Sequence, residues 1–241
     1  MTERSMYGQA AEYYDLIYHW KDYAAEAEKL HALLGAEGVP DGGRVLEAAC
    51  GTGSYLTQFK QWYRVEGLDC NEGVLSVART KVPGVPLLCA DMAEFSVAEP
   101  LDAIVCLFSS IGYVYPLERL RAAAACFAMA LRAGGVLVIE PWLTSDVYKP
   151  GRPSIDTYTS PDLKLCRMIV SAQEGEMAVL RFHWMVARKG AADVEAFVDE
   201  HALWLCPTET LLAAHRDAGF DCRFVTDGLM KDRGLLVARR R

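Results

Sequence analysis

Through the first 140 residues, apolar runs of strand length alternate with runs of helical spacing, and few folds accommodate that pattern. Strands are predicted at Arg44–Ala49, Arg64–Leu68, Val85–Ala90, Ala103–Phe108 and Val136–Glu140. Helices are predicted at Ser54–Gln61, Val74–Lys81 with Asn71 as its cap, and Leu117–Leu131, which stops at Arg132-Ala133-Gly134-Gly135. Such alternation builds a mostly parallel sheet with helices on both faces. The Ala103–Phe108 run is apolar throughout, as a central strand must be. Two further strands, Asp221–Thr226 and Leu235–Arg239, bring the sheet to seven, with a helix from Pro207 to Ala218 before them.

Two segments depart from the alternation. Residues 1–35 precede the first strand and carry two helical runs, Glu12–Tyr18 and Tyr23–Leu34, which would lie as a lid over the strand ends. After Pro141 the chain becomes proline-rich, and three β-rich runs follow at Lys164–Ala172, Met177–Ala187 and Glu195–Leu205. Their alternation and the turns at Glu174-Gly175 and Lys189-Gly190 predict an antiparallel insertion over 150–205, forming the substrate side. Such a sheet can pair between subunits, which is compatible with a homodimer. At 241 residues the chain fits one domain with that insertion.

The chemistry concentrates at strand ends. Val45 to Gly53 reads as a buried strand running into Gly51 and Gly53, with a helix directly after. Glycines there allow a tight turn and close approach of a ligand, and the helix start offers free N–H groups. Asp69 ends the second strand, 22 residues after Glu47, where a carboxylate can accept both hydroxyls of a ribose. Asp91 ends the third and is followed by Met92, a pair suited to the edge and face of an adenine. In an open parallel sheet these ends form the ligand crevice. A dinucleotide fingerprint needs a third glycine or alanine, and Leu56 holds that position. Glu47 also places negative charge where a pyrophosphate would be unwelcome. It suits a cationic amino-acid moiety, as in S-adenosylmethionine. A nicotinamide oxidoreductase and a non-catalytic cofactor-binding protein are the competing classes.

Charge and cysteine usage exclude other functions. The net charge of −7 argues against a nucleic-acid partner, which demands a basic face. The eight cysteines form no C-x-x-C pair and have no histidine at ligand spacing, so neither a metal nor a disulfide framework is expected. Met1–Tyr7 has no apolar leader core and no apolar run approaches membrane-spanning length, so the cytoplasm is expected.

Glu47-Ala48-Ala49-Cys50-Gly51-Thr52-Gly53, Asp69, Asp91-Met92 and Ala133 to Glu140 together resemble the Rossmann-like class I S-adenosylmethionine-dependent methyltransferases. Further runs resemble the dTDP-amino-sugar N,N-dimethyltransferases of the desosamine and mycaminose type. These are Tyr7, Ala11 to Asp15, Lys21-Asp22-Tyr23, Cys106 to Gly112, Glu140-Pro141-Trp142, His183-Trp184 and Arg233-Gly234-Leu235. The resemblance implies S-adenosyl-L-methionine as cofactor, S-adenosyl-L-homocysteine as product and a dTDP-amino sugar as the small-molecule amine substrate. It implies cofactor contacts at Tyr14, Tyr23, Glu47, Ala49, Gly51, Gly53, Asp69, Cys70, Asp91, Met92 and Leu107. Tyr7 would lie near the transferred methyl group, and Arg233 would meet the nucleotide diphosphate, for which a guanidinium fork is suited. Trp142, Arg167 and His183 are further substrate candidates; Arg167 and His183 also read as structural residues of apolar strands. Two positions depart from the family pattern. Tyr113 stands where the sugar enzymes carry histidine after Ser-Ser-Ile-Gly, and Lys231-Asp232 precede Arg233 in place of a glycine. A phenol is a poor base at neutral pH, so Tyr113 is expected to orient the amine. Other amine, oxygen or carboxylate acceptors fit the same motifs.

Overall fold

The computed structural model describes residues 10–241. After a 3-10 turn at Ala11–Tyr13, the elements run α1 (Tyr14–Ile17), α2 (Tyr23–Ala36), β1 (Arg44–Ala48), α3 (Ser54–Phe59), β2 (Arg64–Asp69), α4 (Glu72–Lys81), β3 (Leu87–Cys89), β4 (Leu101–Cys106), a 3-10 turn at Ser110–Tyr113, α5 (Leu117–Ala130) and β5 (Leu131–Ile139). Then come β6 (Ser154–Thr159), β7 (Leu163–Glu174), β8 (Met177–Arg188), β9 (Glu195–Trp204), α6 (Thr208–Asp217), β10 (Phe220–Val225) and β11 (Leu235–Arg240).

Seven strands form one sheet in the order β10-β11-β5-β4-β1-β2-β3, with β4 at its centre as its apolar run requires. β1 to β5 pair in parallel, and β11 runs antiparallel to both β5 and β10. Side chains alternate between the two faces. Ile104 and Cys106 join a core with Leu120, Phe127 and Leu211 of α5 and α6. Ala103 and Val105 join the opposite core with Leu30, Phe59 and Leu75 of α2, α3 and α4. The strand order reverses between β1 and β4, so the crevice at the carboxyl end of β1 is the expected ligand position.

Three expectations are revised. β3 contributes only three residues, because it is the sheet edge and Leu88 and Cys89 are exposed. β5 begins directly after α5 rather than at Val136. Leu131 pairs with Leu101 and Val136 with Ala103, so the Arg132–Gly135 stretch bulges out of the ladder, and Gly134 supplies the left-handed turn. The insertion has four strands, β6-β7-β8-β9, all antiparallel. β6 escapes the sequence reading because it is short, solvent-facing and flanked by Pro153 and Pro161, which an edge strand tolerates.

The insertion's inner face holds Leu165, Phe182, Trp184 and Val186 against Ala10, Tyr13 and Ile17 of the N-terminal segment. That contact carries α1 across the carboxyl ends of the main sheet.

Candidate functional site

The turn after β1 is built from left-handed residues: Ala49 at φ 57°, Gly51 at 54° and Gly53 at 78°. The two glycines do different work. A Cβ on Gly51 would meet nothing within 4 Å, so this position opens onto a cavity. A Cβ on Gly53 would stand 3.4 Å from Ala78 and Val82, an ordinary contact, so here it is the left-handed φ that calls for glycine.

The cavity has a volume of about 480 Å³, and its lining includes Tyr14, Ala49, Gly51, Asp69, Cys70, Met92 and Tyr113. Among the described residues, Thr52, Asn71, Glu72, Gly73, Val74 and Ser110 also line it, and none of these six is a site residue by the sequence reading. Asp69 organises it: one carboxylate oxygen accepts the Gly51 N–H at 2.9 Å and the other the Asn71 N–H at 2.9 Å. Burial raises the Asp69 pKa, and the backbone N–H groups partly offset this. Glu47 lies behind the turn, with Oε2 buried and lacking a hydrogen-bond partner among the described residues. Burial, then the Asp69 charge, pushes its carboxyl well above the ordinary range.

Not every expected cofactor residue reaches the cavity wall. Asp91 gives one oxygen to the Ala93 N–H and the other to Arg119 at 2.5 Å, while Met92 beside it lines the cavity. Leu107 is buried in the core between β4 and α2. Tyr23 packs edge-on against Tyr55. Tyr7 lies outside the described residues.

The N-terminal segment is latched to the glycine turn. Asp15 Oδ1 accepts from Thr52 Oγ1 at 2.7 Å and Ser54 Oγ at 3.1 Å, and Oδ2 accepts from Lys81 Nζ at 2.5 Å. One α1 carboxylate thus ties down the start of α3 and the end of α4. Its neighbour Tyr14 turns into the cavity, and burial pushes its hydroxyl pKa well above the phenol value.

Beyond β4 the chain makes two successive left-handed residues, Phe108 at φ 52° and Ser109 at 66°. Neither is glycine, so the turn is strained by about 1–3 kcal/mol per residue. It is held by the buried Glu140 at the end of β5, whose Oε2 accepts the Phe108 N–H at 2.7 Å, and by Ser109 Oγ donating to the Pro141 carbonyl. This turn delivers Ser110 and Tyr113 to the cavity. Tyr113 also hydrogen-bonds His201 Nδ1 of β9 at 2.8 Å, and His201 Nε2 faces Asp199 Oδ2 at 3.2 Å.

Of the four expected substrate residues, two come together. Trp142 and Arg233 share a second cavity of about 300 Å³, with the guanidinium carbon 4.8 Å from the indole centroid. Arg233 Nη1 is buried and has no hydrogen-bond partner among the described residues. Arg167 is elsewhere: it is buried on the inner face of the insertion, paired with Asp156 at 2.6 Å and bonded to the Tyr18 hydroxyl at 3.0 Å. His183 lies on the insertion's outer, solvent-facing surface, because strand alternation sends Phe182 and Trp184 inward.

Residues 45–135 match the methyltransferase domain family. The chain is 35% identical over 230 residues to dTDP-3-amino-3,4,6-trideoxy-alpha-D-glucopyranose N,N-dimethyltransferase of Streptomyces venezuelae, covering 94% of this chain and 96% of that protein. The chain belongs to the dTDP-amino-sugar N,N-dimethyltransferase family. Two solved structures agree. Streptomyces venezuelae DesVI superposes with a TM-score of 0.90 at 34% identity, over 96% of this chain and 98% of that one. CalS10, a SAM-bound amino pentose methyltransferase of Micromonospora echinaspora, superposes with a TM-score of 0.84 at 30% identity, over the full length of both chains.

The cofactor of this methyltransferase is S-adenosylmethionine, and the first cavity fits it. Gly51 leaves open space where a side chain would project, the Asp69 carboxylate retains lone pairs for ribose hydroxyls, and Val74 and Met92 supply apolar wall. The bound cofactor supplies a methyl group already activated on a sulfonium.

Proposed function

We propose that this enzyme N-methylates the amino group of a dTDP-linked amino sugar. The observation that carries the substrate class is Arg233. A buried guanidinium nitrogen without a partner is costly unless an anion completes it. The Arg233 cavity also holds the hydroxyl-bearing Thr208 and Thr226, and its Trp142 wall offers an aromatic face. A nucleotide diphosphate supplies the missing charge. Ala49, Gly51, Asp69, Cys70 and Met92 hold the cofactor, Tyr14 covers it, and Tyr113 meets the acceptor amine. The 1–35 segment acts as a lid, latched through Asp15, and the 150–205 insertion forms the substrate side. The direct test offers dTDP-amino sugars and the corresponding free amino sugars with S-adenosylmethionine and weighs the products. Gain of one or two methyl masses on the nucleotide-linked compound alone is expected. Methylation of free amino sugars at equal efficiency would remove the role of the nucleotide.

We further propose that the occupant of the insertion's outer face is a second copy of this chain. Ile155, Met168, Met185 and Val198 are all about half exposed there, and Ile155–Met168–His183–Val198 are directly paired across four strands. The Arg181–Glu200 ion pair, at 2.6 Å, flanks this apolar centre with both signs of charge. The patch is therefore complementary to itself in an isologous contact. Met168→Lys is expected to shift the protein from dimer to monomer in sedimentation; a wild-type monomer would sink the idea.

All eight cysteines are free, and no helix among the described residues is long and apolar enough to cross a membrane. The free thiols support a reducing compartment, the cytoplasm.

A further inference from the structure

Tyr113 by itself is a weak proton acceptor, yet it does not stand by itself. Its hydroxyl meets His201 Nδ1 at 2.8 Å, and His201 Nε2 meets Asp199 Oδ2 at 3.2 Å. The imidazole is 1% exposed and packs on Phe182, with ring centroids 4.6 Å apart. A carboxylate can only accept, so Nε2 carries the proton and Nδ1 is left as the acceptor for the Tyr113 O–H. The hydrogen bonds thus run in one direction from the cofactor cavity into the insertion, ending on a carboxylate.

We propose that this Tyr113–His201–Asp199 chain removes the proton that the acceptor amine must lose. The inference rests on the N-methylation reading above. An amine nitrogen that has gained a methyl group carries a positive charge and cannot accept another until an N–H bond breaks. Its electron pair stays on nitrogen, the proton passes to the Tyr113 oxygen, and the Tyr113 proton passes to His201 Nδ1. The Asp199 carboxylate stabilises the resulting imidazolium. The proton returns to solvent by the same route when product leaves. Tyr113 is the group that touches the substrate; His201 and Asp199 act through it. Their place on β9 gives the insertion a chemical task beyond enclosing the site. Among the described residues, the other charged or titratable groups near the chain include Tyr14, from α1, and the Arg167 guanidinium, from β7, across the Phe182 ring. Neither is bonded to the imidazole in the way Asp199 is.

The relay makes the second methyl transfer its sensitive step. His201→Gln keeps a hydrogen-bonding group but cannot accept a proton. With S-adenosylhomocysteine affinity unchanged by calorimetry, this variant should lower kcat at about pH 7 by about tenfold or more and accumulate monomethyl product. Raising the medium to about pH 9 should restore dimethylation, because solvent then takes the proton. Tyr113→Phe, which leaves the His201 packing in place, should show the same product ratio and pH response, and the double variant should add little. Nitrogen NMR of the histidine-labelled free protein should show His201 as the Nε2–H tautomer. A Tyr113→Phe enzyme with the wild-type product ratio and pH profile would overturn the relay, as would an Nδ1–H tautomer. A uniform loss at all pH values would reduce these residues to positioning and also overturn it. Wild-type protein that methylates no amine would instead remove the functional reading on which the relay rests.

Discussion

Asp69→Ala should weaken S-adenosylhomocysteine binding by about a hundredfold or more. Asp69 accepts the Gly51 and Asn71 N–H groups at 2.9 Å each, so it fixes the glycine turn and the start of α4 in addition to its proposed place at the ribose. Hydrogen bonds to a charged group contribute about 1.5–3 kcal/mol, and the substitution removes those to the ligand while freeing two backbone donors. Asp69→Asn retains an acceptor oxygen and should lose less. Burial holds the Asp69 pKa above the ordinary carboxylate value, so its protonated form appears at higher pH than usual as the medium is acidified. Cofactor affinity that depends on the carboxylate should therefore decline on acidification before ordinary surface carboxylates titrate. Calorimetry across pH measures both effects, and unchanged affinity in Asp69→Ala would refute the ribose assignment.

The elements legible in the sequence are those that one physical cause dominates. β4 is apolar on both faces because helices cover both, and Asn71 is recognisable as a cap because its Oδ1 does accept the Gly73 and Val74 N–H groups. β6 and the early start of β5 are less legible, because each depends on a partner strand: β6 on β7, and Leu131 on Leu101. The site shows the same division. The glycine turn, Asp69 and Met92 follow from local spacing, since they lie at or just beyond the carboxyl ends of the successive strands β1, β2 and β3. The Asp15–Thr52–Lys81 latch and the Tyr113–His201–Asp199 chain join residues distant in sequence, and no local pattern announces them. One signal was available and distinguishes the two histidines of the insertion. Phe182, Trp184 and Val186 alternate inward, which sends His183 to solvent. On β9 His201 and Leu203 share the buried parity, so His201 faces the site.

Arg233→Ala should raise KM for a dTDP-linked acceptor by about a hundredfold while leaving S-adenosylhomocysteine affinity unchanged, because the cofactor cavity and the Arg233 cavity share no lining residue among the described residues. Burial lowers the Arg233 pKa, and the nearby Glu140 charge opposes that shift, yet Nη1 keeps no partner among the described residues. A diphosphate oxygen would replace lost hydration with a charge-assisted hydrogen bond, worth about 1.5–3 kcal/mol. Arg233→Lys should recover only part of the loss, since an ammonium lacks the planar fork and the guanidinium stacks at 4.8 Å on Trp142. The substitution also removes the cation that favours the ionised form of Glu140, whose carboxylate holds the Phe108–Ser109 turn. Some thermal destabilisation is therefore expected in Arg233→Ala, and the Tm separates it from the effect on KM. The decisive comparison uses an acceptor without the diphosphate. If Arg233 reads the diphosphate, wild type and Arg233→Ala should handle that truncated acceptor equally poorly. A tenfold or larger difference between them on that acceptor would assign the arginine to the turn or the sugar instead.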